Sequence, residues 1–290
     1  MIGLRNLSQK LSQQLSKSSS LPLLNLASPA ANRLPSAEEL EGYLTCQRLA
    51  REAVHHVAKL LKPGWTEKHA ATMVNTYLAD SGVKSFFHKS FAWFGERTRF
   101  DGITGYAQYS PTNRTLGEDE IFILDVAPIY RGYTCDIGYT GSLAPNEDWK
   151  TARALLEQLR RDIPEMAASG IAGDTLWKAL DTKIKAAGYE NIHQKYPFAV
   201  LGHRVHRHKS GASEVPVPLS WWNFGWPSYW SLTSRGLFGQ LLGPNFQGDM
   251  TGIWAVEPHI GGKNFGAKFE EILIVEKGSA RWLDPQGVLS

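Results

Sequence analysis

The sequence predicts an α+β fold built from two related halves, each with helices followed by strands. Three observations support this fold class. Helical patterns occur in two separate blocks, short β-favouring runs follow each block, and one glycine-bounded helical segment occurs in both blocks. With 290 residues, of which 42% are hydrophobic, the chain is long enough for one large domain or two smaller ones.

The first half is predicted to begin with a helix over residues 37–61, which Pro63 and Gly64 terminate. Thr66 then caps a second helix that ends near Gly82. The predicted strands of this half cover about 84–94, 103–109 and a hairpin over 121–140.

The second half is predicted to repeat this order, with helices near 147–168 and 173–187 before further β-favouring runs. Residues 64–82 and 170–188 both run from glycine to glycine over a helix of the same length. Because few residues are identical between the two segments, the repeat supports the two-half fold without establishing it.

Two aspartates in the predicted hairpin point to a metal ion. If the hairpin turns about Tyr130 and Arg131, Asp125 and Asp136 are cross-strand partners on one face. Two like charges in that position destabilise a sheet, and a buried carboxylate needs a proton or a cation. A divalent cation that bridges both carboxylates would meet this need. The alternative is that one aspartate is a turn residue and the other carries surface charge.

Three more ionisable side chains lie in or beside short apolar runs of the second half, where an unpaired charge is costly: His203, Glu257 and Glu270. Four carboxylates and one imidazole form an oxygen-rich set of donors. Such a set suits two cations that share bridging carboxylates better than one tetrahedral structural zinc.

In its order of residues, this set resembles the pita-bread metallohydrolases, the superfamily of methionine aminopeptidase, aminopeptidase P, prolidase and creatinase. The resemblance covers about residues 40–283 and is closest to an Xaa-Pro peptidase-like catalytic domain. It implies a pita-bread fold with two pseudo-symmetric halves around a dinuclear centre of manganese, cobalt, zinc or iron. The implied ligands are Asp125, Asp136, His203, Glu257 and Glu270, with Asp136 and Glu270 bridging the ions.

Glu271 directly follows the last of these ligands. The frame Lys268-Phe269-Glu270-Glu271 matches the family order of a basic residue, an apolar residue and the ligand, which favours Glu270. Because adjacent side chains of a strand point to opposite faces, Glu271 is expected on the solvent side or behind the ligands.

The sequence departs from the family at two histidines. The histidine expected 17 or 18 residues before Asp125 is replaced by Ala107 or Gln108. The histidine expected seven positions after His203 is replaced by Ser210, so His208, or else His206, is predicted to take its catalytic role. The alternative is that this basic segment is a solvated loop or binds an acidic group.

The resemblance implies that Glu257 also transfers a proton, while His208 or His206 stabilises the oxyanion or the leaving group. The predicted substrate contacts are Gln108, Tyr109, His259, Trp222 and Trp226.

An aromatic-rich insertion is predicted at about residues 212–250. It either forms a lid or wall over an apolar pocket beside the metals, or packs as a subunit interface or as a small separate core.

Three classes of function remain open. The first is a hydrolase of the aminopeptidase or Xaa-Pro peptidase type that acts on a small peptide or amide. The second is a non-peptidase enzyme on the same fold, such as a creatinase-like C–N hydrolase or a metal-dependent lyase. The third is a catalytically silent binding protein, which the complete ligand set disfavours.

Residues 1–35 are predicted to be an extension before a catalytic domain at 36–290. This segment is basic, rich in serine and without acidic residues, as in a transit peptide, although a packing segment fits equally well. The remaining body is nearly neutral, which disfavours nucleic-acid binding, and no apolar run is long enough for a membrane span. A cytoplasmic location is expected, and a homodimer is compatible with the sequence.

Overall fold

The computed structural model describes residues 33–208 and 237–290. This part of the chain has four α-helices, which confirm the predicted ones to within a residue or two. They are α1 (Ala37–Leu60), α2 (Glu67–Asp80), α3 (Glu147–Ala168) and α4 (Gly173–Ala186). The predicted extension at 1–35 and most of the predicted insertion at 212–250 lie outside the described residues.

Local hydrogen bonds explain where the helices begin. Ser36 caps α1 in a reciprocal capping box with Glu39, and the Thr66 side chain accepts a hydrogen bond from the His69 backbone at the start of α2. Asn146 caps α3 in the same way, by accepting from the Trp149 backbone. These caps satisfy backbone N–H groups that a helix cannot pair internally.

The glycine-bounded repeat is present in the structure. The helices α2 and α4 both have 14 residues and occupy the same place between their flanking glycines. All four of these glycines have a left-handed φ, which residues with a side chain rarely adopt: Gly64 (85°), Gly82 (89°), Gly170 (77°) and Gly188 (82°). The two segments are therefore equivalent in conformation, although few of their residues are identical.

The strands within the described residues form three sheets. The first sheet contains β1 (Ser85–Phe94), β2 (Ile121–Tyr130), β3 (Tyr133–Thr134) and β4 (Ile137–Ser142), and β2 pairs with the other three. The second has the order β12 (Ser279–Trp282), β11 (Glu271–Glu276), β8 (Gly252–Val256), β6 (Gly202–Arg204) and β7 (Leu241–Leu242). The third has the order β10 (Gly266–Lys268), β9 (His259–Gly261) and β5 (Glu190–Asn191). The order β6-β8-β11 repeats the order β1-β2-β4.

The predicted strand at 103–109 is wrong, because Tyr106–Tyr109 forms a 3-10 helix. The Gln108 side chain turns back and accepts hydrogen bonds from the backbone N–H groups of Thr104 and Gly105. A local side-chain cap thus competes with strand pairing here.

The predicted hairpin is present, but its register differs from the symmetric prediction. The turn lies at Arg131 and Gly132, which both have positive φ, and Asp125 is paired with Gly138 rather than with Asp136. Asp136 is two residues from that partner and so lies diagonally across the same face. The two aspartates are neighbours on one face, as predicted, without being direct cross-strand partners.

A pair of backbone hydrogen bonds joins the two halves beside the carboxylates. The Glu270 N–H donates to the Gly138 carbonyl at 3.0 Å, and the Gly138 N–H donates to the Glu270 carbonyl at 3.3 Å. A Cβ atom at Gly138 would lie 2.4 Å from the Lys268 side chain, so this close approach requires glycine. The bridge connects the start of β11 to the first sheet.

Glu271 is neither on the solvent side nor beside the predicted ligands, which corrects the expectation of a solvated residue. It is fully buried and accepts two hydrogen bonds from the Arg160 guanidinium of α3, at 2.9 and 2.8 Å. Its carboxylate also accepts from the Val288 backbone. Glu271 therefore joins a helix to the sheet on the face opposite Glu270.

Among the helices within residues 33–208 and 237–290, none combines the length and the apolar character needed to cross a bilayer.

His193 is a buried residue whose ring nitrogens have no hydrogen-bond partner among the described residues. It packs edge-on against Trp177, with the ring centres 5.5 Å apart. Burial disfavours the charged ring and lowers the pKa of His193 to about 3, and the Asp181 carboxylate opposes this only weakly. In the unfolded chain its pKa returns to about 6.5.

We expect His193 to make the protein less stable in mild acid. Below about pH 6.5 the unfolded chain gains a proton that the folded protein does not take up, so the free energy of unfolding falls as the pH falls. Between about pH 7.5 and pH 5.5 this loss should be about 1 kcal/mol. In His193→Phe, measured by urea denaturation, the difference between these pH values should shrink by that amount. The exposed His56 provides the control, because His56→Phe should keep the wild-type dependence.

Candidate metal centre

Four carboxylates and one histidine converge where the two halves meet. The side chains of Asp125, Asp136, Glu257 and Glu270 are all buried, with exposures between 2% and 9%. Donor atoms within 4.8 Å of one another come from Asp136, His203 and Glu270 in one group, and from Asp125, Glu257 and Glu270 in another. The structure thus brings together all five residues that the sequence predicts as ligands.

Each half supplies donors from strands or from breaks between strands. Asp125 lies within β2, and Asp136 occupies the break between β3 and β4. Glu257 directly follows β8, where its N–H donates to the Leu201 carbonyl at 2.8 Å, and Glu270 directly precedes β11. Each donor therefore lies within a strand or next to one, which limits the ways in which the carboxylates can separate.

His203 lies on β6 and faces Asp136. Its Nε2 atom is 3.3 Å from Asp136 Oδ2, and its Nδ1 atom is 3.1 Å from the Arg204 carbonyl oxygen. Phe87 stacks on the ring at a centroid distance of 5.3 Å. Burial disfavours the charged ring, but the hydrogen bond to Asp136 and the negative charge of that carboxylate, with smaller contributions from Arg204 and Glu257, together outweigh burial and raise the pKa of His203.

Lys268 lies at the centre of the carboxylate cluster. Its buried ammonium group is 2.5 Å from Asp125 Oδ2, 2.7 Å from Glu257 Oε2 and 2.9 Å from Glu270 Oε2. Burial alone would release its proton, but the three carboxylates hold the pKa of Lys268 well above its usual value. In the sequence, Lys268 matches the basic residue that the family has two positions before its last ligand, but its contact with these three carboxylates was not predicted.

His88 is a second side chain that the sequence analysis missed. It lies on β1, 6% exposed, and its Nε2 atom is 3.2 Å from both carboxylate oxygens of Asp136 and 3.5 Å from Asp125 Oδ1. Burial lowers the pKa of the ring, yet the two aspartates together raise the pKa of His88 to about 9. A histidine within the aromatic run at 86–94 was the available signal, but the sequence does not tell which way its side chain points.

The charge balance of this cluster indicates whether its oxygen and nitrogen atoms suit divalent cations. Although burial opposes ionisation, His88 and His203 hold the pKa of Asp136 well below its usual range. Burial and the neighbouring carboxylates raise the pKa of Glu257 and, more strongly, that of Glu270. Lys268 and the two histidines can offset only part of the charge that four ionised carboxylates would carry. Oxygen donors with an unmet need for positive charge fit hard or borderline divalent ions.

A cavity of about 180 Å³ opens beside the cluster. Asp125, Asp136, Glu257 and Glu270 lie on one side, and the remaining wall is mainly aromatic, with Phe87, Phe91, Trp93, Phe100, Tyr109 and Tyr196. Tyr109 therefore lines the cavity, and its predicted contact with substrate stays a prediction. Tyr196, which the sequence analysis did not single out, lines the same wall, and burial raises its pKa well above the usual value, so it remains a neutral hydrogen-bond donor.

Several predicted site residues are absent from the cavity wall. Gln108 is exposed, and its side-chain oxygen caps the local 3-10 helix. His259 is fully buried behind Tyr196, whose hydroxyl lies 2.8 Å from His259 Nδ1. His206 Nε2 is 2.7 Å from the Gln240 side-chain oxygen, and the His208 N–H donates to the Gly132 carbonyl. Trp222 and Trp226 lie outside the described residues, so their predicted contact with substrate stays a prediction.

The fold is shared with solved structures of peptidases. A dipeptidase from Pyrococcus horikoshii OT3 matches with a TM-score of 0.64 and 18% identity, over 93% of this chain and 66% of its own. An X-Pro aminopeptidase from Thermotoga maritima MSB8 matches with a TM-score of 0.62 and 15% identity, over 88% of this chain and 63% of its own. Methionine aminopeptidase from Thermotoga maritima matches with a TM-score of 0.56 and 17% identity, over 87% of this chain and 98% of its own.

At these identities the likeness concerns the fold, which is the predicted pita-bread fold. The chain spans less than two thirds of the length of the X-Pro aminopeptidase. No protein with a curated description matches the sequence. The family model for metallopeptidase family M24 matches residues 41–277, which is most of the chain. Together with the convergence of buried carboxylates and histidine between two equivalent halves, this match identifies the chain as a member of metallopeptidase family M24.

Proposed function

We propose that the protein is a dinuclear metal-dependent hydrolase that cleaves a small peptide or amide, with Xaa-Pro peptides as the first substrates to test. One observation carries the proposal: the buried donors from both halves converge at the wall of a small aromatic cavity. Membership of a metallopeptidase family supports the same reaction class.

In this proposal the metal ligands are Asp125, Asp136, His203, Glu257 and Glu270. Asp136 and Glu270 share one group of neighbouring donor atoms with His203, and each of the two also belongs to a second group that contains Asp125, which suits both carboxylates to lie between two ions. Manganese, cobalt, zinc and iron all match this donor chemistry. When bound, the ions would supply Lewis acidity toward a substrate carbonyl and toward water.

Glu257 is our choice for the group that moves a proton. Burial raises the pKa of Glu257, with Lys268 opposing the shift and Asp125 adding to it. A carboxylate with a raised pKa is better matched to proton transfer near neutral pH than an ordinary one. Glu257 also lines the cavity, so it can accept a proton from attacking water and return it to the leaving amine.

The cavity suggests the size and polarity of the substrate. Its volume of about 180 Å³ suits a short side chain or a proline ring rather than a long peptide. The aromatic wall can pack against a ring and exclude water, while Tyr109 and Tyr196 add hydroxyl groups to an otherwise apolar surface.

A second candidate is a non-peptidase enzyme on the same fold, either a C–N hydrolase or a lyase. The observation that favours it concerns Gln108, which occupies the sequence position where peptidases of this family have a histidine that contacts substrate. Gln108 is exposed and caps a turn, so it does not replace that histidine in the cavity. Substrate tests must therefore extend beyond peptides.

Substitutions at two neighbouring residues should separate metal binding from stability. Glu270→Gln should lose tight uptake of both ions, measured by calorimetry and metal analysis, because one bridging charge is removed. It should unfold no more easily than wild type in chelator, since it also relieves repulsion among the carboxylates.

Glu271→Gln is the matched control and should do the reverse. It should keep its metal uptake but lose about 2 kcal/mol in the free energy of unfolding, because the Arg160 guanidinium loses its buried charged partner. If Glu271→Gln loses the ions and Glu270→Gln retains them, the ligand assignment is wrong.

Hydrolysis should depend on the loaded metal and on Asp136. We expect protein loaded with manganese or cobalt to cleave Xaa-Pro dipeptides or tripeptides, and Asp136→Asn to reduce kcat/KM at least about 100-fold. The measurement is release of free amino acid from a panel that pairs each Xaa-Pro peptide with its Xaa-Ala counterpart.

Chelator should abolish the cleavage and added metal should restore it. If the protein binds two ions yet cleaves no peptide in this panel, the peptidase proposal fails and the non-peptidase candidate takes its place.

A further inference from the structure

The strand β1 is irregular on both sides of His88. Phe86 pairs with Pro128, His88 with Ala127 and Phe91 with Asp125, so β1 gains one extra residue on each side of His88 relative to β2. Such bulges turn a side chain away from the face that strict alternation would give it, and they are frequent next to active sites. Here the result is that His88 and Phe91 both line the cavity.

The two ring nitrogens of His88 have different surroundings. Nδ1 lies 3.0 Å from the Lys89 carbonyl oxygen, which can only accept a hydrogen bond, so Nδ1 carries a proton. Nε2 faces carboxylate oxygens of Asp136 at 3.2 Å and of Asp125 at 3.5 Å. A bare lone pair on Nε2 would be repelled by these acceptors, so either a proton on the ring or a metal cation must lie between Nε2 and the two carboxylates.

His203 makes the same pair of contacts from the other half. Its Nδ1 atom lies beside the carbonyl of the next residue, Arg204, and its Nε2 atom faces Asp136. A histidine whose Nδ1–H is held by a backbone carbonyl while Nε2 points at carboxylates has the usual arrangement of a metal ligand. The strands β1 and β6 also occupy the same place in the repeated strand order of the two halves.

We propose that His88 is a sixth donor of the metal centre and binds the ion that Asp125 and Asp136 share. Its Nε2 atom lies within 4.8 Å of donor atoms of both aspartates. Each half would then contribute one imidazole and two carboxylates. This inference rests on the proposed metal centre and adds a donor to its five ligands.

A sixth donor changes which ions the centre prefers. Without His88, the ion beside Asp125 has only carboxylate oxygens from the protein, which suits manganese. An added imidazole nitrogen favours ions that bind nitrogen more strongly, such as cobalt, iron or zinc. The two ions would then have similar rather than contrasting surroundings.

A purely electrostatic role for His88, without metal binding, predicts different results. If the ring is permanently protonated and only forms an ion pair with Asp136, it gives no nitrogen to any ion. The ion count and the coordination of each ion would then be independent of His88.

The first test counts imidazoles in the full-length wild-type protein, without any substitution. Zinc K-edge X-ray absorption of protein loaded with two zinc ions should give an average of about one imidazole per zinc, because both His88 and His203 bind. An average of about one half means that His203 alone binds and overturns the proposal.

The second test compares three variants. His88→Gln should weaken binding of one of two cobalt ions at least about 100-fold and change the visible absorption of the cobalt protein, with a smaller loss for manganese. His203→Gln is the positive control and should weaken the other ion. His56→Gln, at an exposed ring on α1, should leave both ions and the spectrum unchanged. Circular dichroism of each variant checks that it folds.

These readouts separate this inference from the proposed function. If wild type binds two ions and His88→Gln keeps wild-type affinities and spectrum, His88 is not a donor, but the five-ligand centre stands. If wild type binds no divalent ion, the proposed function and this inference both fail.

Discussion

The structure depends on keeping four carboxylates together in the protein interior. Two like charges 4 Å apart repel by about 4 kcal/mol at an effective dielectric constant of about 20, and such pairs recur throughout the cluster. The Lys268 ammonium and the two histidines offset part of this repulsion. Divalent ions are the partners that would offset the rest. The strands around the cluster must therefore resist a force that separates the two halves, and their sheet hydrogen bonds and the Gly138–Glu270 bridge do so.

Neither half forms the site alone. The first half supplies both aspartates and His88, and the second supplies both glutamates, His203 and Lys268. The Lys268 ammonium group of the second half contacts the Asp125 carboxylate of the first half, so one ion pair links the side chains that the two halves supply. The candidate ligands come together only when the two halves pack correctly. The binding free energy of an ion at this site would consequently add to the stability of the fold.

Much of the fold could be predicted from the sequence because local chemistry specifies it. Thr66 and the four glycines with left-handed φ define the ends of the repeated helices without help from distant residues. The five candidate ligands were also predictable, since a charged side chain in a short apolar run needs an explanation wherever it occurs.

The residues that sequence reasoning missed are those whose direction depends on irregular backbone or distant partners. His88 faces the carboxylates because β1 is bulged on both sides of it, and alternation cannot predict a bulge. Gln108 was expected beside substrate but caps its own turn. Glu271 was expected on the solvent side or behind the ligands, but it is buried in an ion pair with Arg160, from a helix more than a hundred residues earlier in the chain.

The repeated architecture also allows the chain between the candidate ligands to differ in length while the ligands keep their places. The chain between His203 and Glu257 is longer than the chain between His88 and Asp125, although all four side chains line one cavity. Added length in one half therefore leaves the donors in place. Evolution can therefore change the length of one connection while the arrangement of these four side chains is preserved.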